Sequence, residues 1–313
     1  MEALNFSPKT NDMRMWRHFT TSVYQSADLP WLATREALQN SVDAIRAAIR
    51  HRKLRAGEGR FTVTWDPVRR TLAWEDNGIG MDAETVANKF LSLGDTGKDG
   101  AHDSAEAAGG FGVAKAVILG VSPTFRYELH SRDKKYVAGG FDQPPRAPVA
   151  AAFLSGTRLT VFDIPTKFDT FYGPTRVPDE PILDRLRNLL AFTDMPEIAL
   201  VLNGEKVSPF FSGRRGEPIG TGGSWGQGVT ARVRGYRRGV GDMRGAFYVR
   251  LNGLFQFVAW SKGLPSDVVL DLTTTVRPGA AGYPSMLLVT DFRMLPVRSS
   301  GVSGRSSSAR LSA

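Results

Sequence analysis

The stretch from Arg35 to Ala44 limits the possible folds more than any other part of the chain. Leu38, Val42, Ile45 and Ile49 recur at helical spacing, so at about 100° per residue they form one apolar stripe that needs a partner surface. On the same wheel Glu36, Asn40 and Asp43 gather on the other face. Asn and Asp are poor helix-interior residues because their side chains compete for backbone hydrogen bonds. A face that met only water would more readily carry Lys, Glu or Gln, and the flanks of this helix do carry Arg46, Arg50 and Arg52. A carboxylate and an amide one turn apart therefore point to chemistry. A carboxylate can orient and deprotonate water, and an amide oxygen is a hard ligand suited to Mg2+. A solvated amphipathic face is the plain alternative for this stripe taken alone.

Phe61 to Trp65 alternates, Asp66-Pro67 turns the chain and Thr71 to Trp74 runs back, which predicts a β-hairpin. It leads into Glu75-Asp76-Asn77-Gly78-Ile79-Gly80-Met81, where two glycines two apart permit positive φ and close approach to a ligand. Asn-Gly is also a common turn dipeptide, so this segment alone reads equally as a turn. A third segment, Gly109-Gly110-Phe111-Gly112-Val113-Ala114-Lys115, feeds an apolar run ending at Leu119. It is expected to open a helix whose free N–H groups and dipole favour an anion. It lacks the Gly-Lys-Ser/Thr ending of a P-loop and follows no strand of a βαβ unit, which argues against both common glycine-loop nucleotide sites. A flexible loop leading to a buried helix is the alternative here.

In this order and spacing the three segments resemble the ATP site of the GHKL superfamily: gyrase B-type topoisomerases, heat-shock chaperones, histidine kinases and MutL. Glu36-x-x-x-Asn40-x-x-Asp43-Ala44 is similar to the N-box, Asp76-x-Gly78-x-Gly80 to the adenine-recognition box, and Gly110-Phe111-Gly112-Val113 to the phosphate-binding glycine box. Gly156-Thr157-Arg158-Leu159-Thr160-Val161 resembles the Gly-Thr strand closing the adenine pocket. Ser92-Leu93-Gly94-Asp95-Thr96-Gly97-Lys98 resembles a lid segment ending in a phosphate-facing lysine. The likeness covers roughly residues 15–205.

The resemblance implies ATP and Mg2+ as ligands. Glu36 would be the general base that activates water, and Asn40 the protein ligand of the metal. Asp76 would accept from the adenine amine, with Thr157 assisting through water, and Asp43, Gly78, Gly80 and Met81 would complete that end of the pocket. Gly110, Phe111, Gly112 and Val113 would line the phosphates, and Lys98 would neutralise the terminal one. The pattern departs at Ala114, where many relatives have glycine, and Lys115 follows directly. Lys115 has two readings, a phosphate ligand or a snorkelling helix residue.

Glu36 sets the chain apart from histidine kinases, which usually lack a glutamate-led hydrolysis site. His18, His51, His102 and His130 are scattered without metal spacing, and the segment Met13 to Tyr24 reads as an N-terminal strap or dimer arm. The 313 residues suffice for one large or two modest cores. Zero cysteines exclude disulfides and thiolate zinc sites. No apolar run is long enough to span a membrane and no signal-like segment is seen, so a cytoplasmic, membrane-free protein is expected. The net charge of +9, rich in arginine, is compatible with nucleic acid. ATP and genome composition account for it equally well, and no motif with interleaved aromatics supports a nucleic-acid partner.

Beyond the motifs, Phe171 to Asp179 reads as a linker, Ile182 to Phe192 as a helix, and Ile198 to Leu202 as a strand entering the Asn203-Gly204 turn. Gly213 to Gly228 reads as a flexible glycine-rich loop, followed by strands at Val229 to Val233 and Ala246 to Trp260. Lys262 and Arg277 are positional candidates for the cation that hydrolysing relatives deliver from a transducer domain. From about Ser285 periodicity is lost, and the Ser/Arg tail from Ser299 to Ala313 suggests disorder, or a native protein that is longer or read out of frame there.

The expected architecture is α+β: a Bergerat-type two-layer sandwich with a mixed sheet and helices on one face, then a small β-rich segment. The expected units are an ATP-binding domain over 1–205, a β-rich subdomain resembling part of a transducer over 206–284, and a tail over 285–313. The expected activity is Mg2+-dependent ATP hydrolysis, with lid closure or a nucleotide-dependent homodimer as the switch. The alternatives are a nucleotide-dependent binding scaffold, DNA-associated or not, with little turnover, and a histidine-kinase-like phosphotransferase.

Overall fold

A computed structural model describes residues 28–90, 114–140, 143, 147–172, 177–210, 217–224, 229–237, 246–251, 253–260 and 268–276, together with residue 18. Helix α1 spans Leu29–Arg50. Asp28 caps it by accepting from the Trp31 N–H at 3.4 Å, and Pro30 sits in the first turn, where its missing N–H costs nothing. The predicted stripe is buried, with Leu38, Val42 and Ile45 fully enclosed and Ile49 packed at the margin.

Strands β1 (Gly59–Asp66) and β2 (Thr71–Asp76) form the predicted antiparallel hairpin, with Phe61 opposite Asp76 and Asp66 opposite Thr71. They lie in a six-stranded sheet with β3 (Tyr127–Ala138), β4 (Val149–Val161), β7 (Ile198–Leu202) and β8 (Glu205–Lys206). The order is β3-β4-β2-β1-β7-β8, antiparallel throughout except for the parallel pair β1 and β7. The side-chain period of two gives this sheet one buried face, formed by Phe61, Val63 and Trp65, by Leu72, Trp74 and Asp76, and by Leu159 and Val161. That face meets α1, with helices α2 (Ala114–Gly120) and α3 (Ile182–Phe192) packed against α1. The α+β layers with a mixed sheet are those expected, and α3 and β7 begin and end at the predicted residues. The ends of the predicted linker are tied together, since β5 (Thr170–Phe171) pairs with β6 (Glu180–Pro181) just before α3.

A second sheet holds β9 (Glu217–Ser224), β10 (Val229–Arg237), β11 (Ala246–Leu251), β12 (Leu254–Trp260) and β13 (Val268–Val276), in the order β12-β11-β13-β10-β9. β9 corrects the reading of residues 213–228 as loop. Its glycines have weak strand propensity, but β10 supplies a pairing partner, and two register shifts absorb the irregularity at this sheet edge. The segment 13–24, residue 18 aside, and Lys262, Arg277 and everything from Ser285 lie outside the described residues.

The β11–β12 hairpin docks on α1 and α3. Trp31, Leu189, Phe192, Tyr248, Phe255 and Val258 make a buried cluster, with the Phe192 ring 4.5 Å from Tyr248 and 5.1 Å from Phe255. The Asp194 N–H donates to the Gly253 carbonyl at 2.8 Å, which fixes the hairpin turn to the end of α3.

The start of α1 is fastened by a buried ion pair. Arg185 of α3 donates from Nε to Asp28 at 2.7 Å and from its Nη atoms to the carbonyls of Phe168 and Glu180. Burial lifts the Asp28 carboxyl above the ordinary carboxylate range against the pull of Arg185, so desolvation outweighs the attraction. Removing one partner strands the other in a dry site. Arg185→Leu is therefore expected to lower unfolding stability by about 3–5 kcal/mol in urea titrations. An unchanged midpoint would show that the pair holds nothing together.

Candidate functional site

The inward-facing positions of β2 run Leu72, Trp74, Asp76, so the pleat that buries two hydrophobes also carries a carboxylate to the core side of the sheet. Asp76 is 7% exposed. It accepts from the Gly78 N–H at 2.8 Å through Oδ1 and from the Ser41 hydroxyl at 3.1 Å through Oδ2. Burial pushes its carboxyl up to about 7, against the hydrogen bonds from Gly78, Ser41 and the Thr157 backbone.

The two glycines after Asp76 serve different purposes. Gly80 has φ +68° and would bring a Cβ within 2.8 Å of the Gly156 carbonyl. Gly78 does not need positive φ, which corrects that part of the sequence reading. A Cβ there would lie 2.7–2.9 Å from the backbone and Cβ of Ala44, so glycine is required by contact with α1. The Ile79 N–H donates to the Ala44 carbonyl at 3.1 Å, locking the loop to the helix one residue beyond Asp43. Asn77 is occupied structurally, accepting from the Arg60 N–H and donating to the Glu58 carbonyl.

Ser131 closes the other side. Its hydroxyl accepts from the Met81 N–H at 2.7 Å, donates to the Gly156 carbonyl at 2.9 Å, and lies 3.0 Å from the Thr157 hydroxyl. Register shifts flank its neighbour Arg132, which has φ +54° and pairs with Asp82 at 3.5 Å. Gly156 itself has φ +95°, and a Cβ there would run into the Asp76 carbonyl. Asp76, Gly78, Gly80, Met81, Gly156 and Thr157 thus form one knot with Ser41 and Ser131.

On α1, Glu36 is largely shielded and ion-paired to Arg35 at 2.7 Å, Asn40 is exposed and Asp43 half-buried. The helix therefore shows Ser41 to the carboxylate of Asp76 while Glu36 and Asn40 point elsewhere on its surface. α2, the helix expected after the glycine box, packs against α1. Lys115 lies in its first turn with its side chain outside the description, as are Lys98, Gly110, Phe111, Gly112 and Val113 altogether.

Sequence reading missed Ser41 and Ser131, and both carried a signal. Ser41 falls beside Leu38, Val42 and Ile45 on the buried side of the wheel, and Ser131 follows Tyr127 and Leu129 at buried period-two positions. A hydroxyl on a buried stripe needs a polar partner.

No family model and no curated protein matches this sequence. Among solved structures, the chain is similar to the ATPase region of Saccharomyces cerevisiae topoisomerase II. The TM-score is 0.52 at 13% identity, over 78% of this chain and 76% of that one. It is likewise similar to the same region bound to ICRF-187 (dexrazoxane), with a TM-score of 0.50 at 14% identity, over 79% and 78% of the two chains. The fold is the Bergerat-type fold that the motifs led us to expect.

Gly156→Ala is expected to lower stability by roughly 2–4 kcal/mol in thermal unfolding, because it adds strain at positive φ and a clash at Asp76. The Asp76 carboxyl makes a second expectation. Its folded pKa of about 7 exceeds the ordinary 3.8, so the folded state holds the proton more tightly. Its contribution is fully favourable below about pH 4 and is lost as pH rises through 7. The neutral isostere Asp76→Asn should therefore gain stability over wild type more at pH 8 than at pH 5, measured by urea midpoints. An equal difference at both would contradict the burial argument.

Proposed function

We propose that this chain binds ATP in the pocket built around Asp76 and hydrolyses it with Mg2+, Glu36 activating the attacking water. The observation that carries the reading is a desolvated carboxylate, braced among the described residues by neutral N–H and O–H donors, at a strand end of a GHKL fold. A carboxylate so placed suits an exocyclic amine, which is a neutral donor, and Thr157 beside it suits a bridging water.

The other donors fit the same ligand. Asn40 offers an exposed amide oxygen one turn beyond Glu36, the hard donor that Mg2+ takes together with waters and phosphate oxygens. Bound there, the ion supplies neutralisation of phosphate charge. Asp43, Gly78, Gly80 and Met81 shape the adenine end. By their resemblance, Gly110, Phe111, Gly112 and Val113 would give backbone N–H groups to the phosphates, with Lys98 and Lys115 as nearby cations. Much of the rate in such a site comes from positioning and charge stabilisation. The proposal extends to lid closure or homodimerisation as the nucleotide-driven switch, and to a cytoplasmic setting where ATP is supplied. Among the described residues no helix is long and apolar enough to cross a membrane.

The test is Mg2+-dependent turnover beside nucleotide binding. Wild type should hydrolyse ATP, and Glu36→Ala should bind it with little change while losing turnover by about 100-fold or more. Binding without turnover in wild type would support a nucleotide-dependent scaffold instead, and absence of binding would remove the ATP reading altogether. Ionised Asp76 is the better acceptor, so affinity should fall as pH drops through 7. With a carboxyl titrating at about 7, Kd for ATP should be about tenfold weaker at pH 6 than at pH 8 in calorimetric titrations. A flat profile would contradict the burial argument for Asp76.

A further inference from the structure

Arg35 and Glu36 are adjacent on α1, and adjacent helix residues point about 100° apart, so their side chains do not ordinarily meet. Here they do. Arg35 curls so that Nε and Nη2 both donate to Glu36 Oε1, at 3.2 and 2.7 Å. Two further contacts hold the guanidinium in that pose. Its Cζ lies 5.6 Å from the centre of the Trp31 ring one turn earlier, and Nη1 donates to Gln256 Oε1 at 3.2 Å.

Gln256 belongs to β12, in the second sheet, and its own amide donates to the Leu254 carbonyl of the same strand at 3.1 Å. Its neighbour Phe255 meets Trp31 edge-on at 6.2 Å inside the buried aromatic cluster. The same strand thus grips both the platform under Arg35 and the tip of Arg35. The two side chains of the ion pair are only 22% and 17% exposed, so the contact is less screened than a fully exposed surface pair.

We infer that Arg35 is a positioning residue for Glu36, and that Gln256 transmits the seating of the second sheet to it. Arg35 pins one carboxylate oxygen, and among the described residues none donates to the other, which stays available to a water. When β12 is seated, the carboxylate is held in one orientation. When β12 shifts, Arg35 loses its outer anchor and Glu36 its alignment. The second sheet is in this way coupled to the hydrolytic site through Gln256.

The inference rests on the ATPase reading above. Its test is steady-state kinetics of the full chain carrying Gln256→Leu, Arg35→Met, Arg35→Lys and the double variant Q256L/R35M, beside Glu36→Ala. Arg35→Met should lower kcat by about tenfold or more with KM and ATP affinity within about twofold, the signature of lost alignment in the transition state. Gln256→Leu should move kcat in the same direction by a smaller factor, and should have no further effect when Arg35 is already Met. Arg35→Lys should recover only part of the rate, since one ammonium cannot bridge Gln256 and Glu36 as a planar fork does.

Variants that only weakened the fold would lose ATP affinity and kcat together, and that outcome would overturn the inference. So would turnover that depends on Glu36 but is indifferent to Gln256, or effects of Gln256 and Arg35 that simply multiply. Turnover in wild type that Glu36→Ala does not reduce would instead overturn the ATPase reading, and the positioning role with it.

Discussion

Everything in the site follows from how closely α1 lies on the loop after β2. At Gly78 and Ala44 there is room for backbone and one methyl group and nothing more, and the Ile79 N–H uses that closeness to reach the Ala44 carbonyl. Because the helix is held at this distance, Ser41 falls within reach of Asp76 from above while Gly156 and Thr157 close on it from the next strand. The cost is a carboxylate shielded from solvent. Three donors offset part of it, and the rest appears as a carboxyl pushed up to about 7. Strongly perturbed acids are found preferentially at functional sites.

Much of this was legible in the sequence, for identifiable reasons. α1, the β1–β2 hairpin, α3 and β7 each follow from a short-range period that burial then confirms. The motif that follows the hairpin singles out Asp76, but only the pairing of β2 with β4 shows its burial. The reason for Gly78 was not legible, since the clash it avoids is with Ala44, thirty-four positions earlier and invisible to any local window. β9 was misread for a related reason: its glycines speak for loop locally, and only pairing with β10 decides otherwise.

The seam between the sheets was the least legible part. Trp31 is separated from Phe255 by more than two hundred residues, and each sits in a segment whose own pattern is satisfied without the other. Phe192 ends a helix and Tyr248 alternates on a strand, so local periodicity assigns both to a core without saying which one. Their meeting in one cluster is a fact of tertiary packing. It has a mechanical consequence, because aromatic cores are rigid and transmit displacement. Trp31 in that cluster is also the ring over which the Arg35 guanidinium sits.

The strand pleat then separates two kinds of charge that would otherwise interfere. On β2 and β4, Glu75 faces Arg158 and Asp76 faces Thr157 at successive register positions. The ion pair of Glu75 with Arg158 therefore stands on the outer face of the sheet, and Asp76 on the inner one, with a neutral hydroxyl as its cross-strand neighbour. A slip of one residue would exchange them, putting a guanidinium against the buried carboxylate. Such a pair would replace the neutral donors that now hold the acid. Glu36 is the opposite case: a largely shielded carboxylate beside a cation. The two acids thus stand in different surroundings because of where a helix face and a strand face put them.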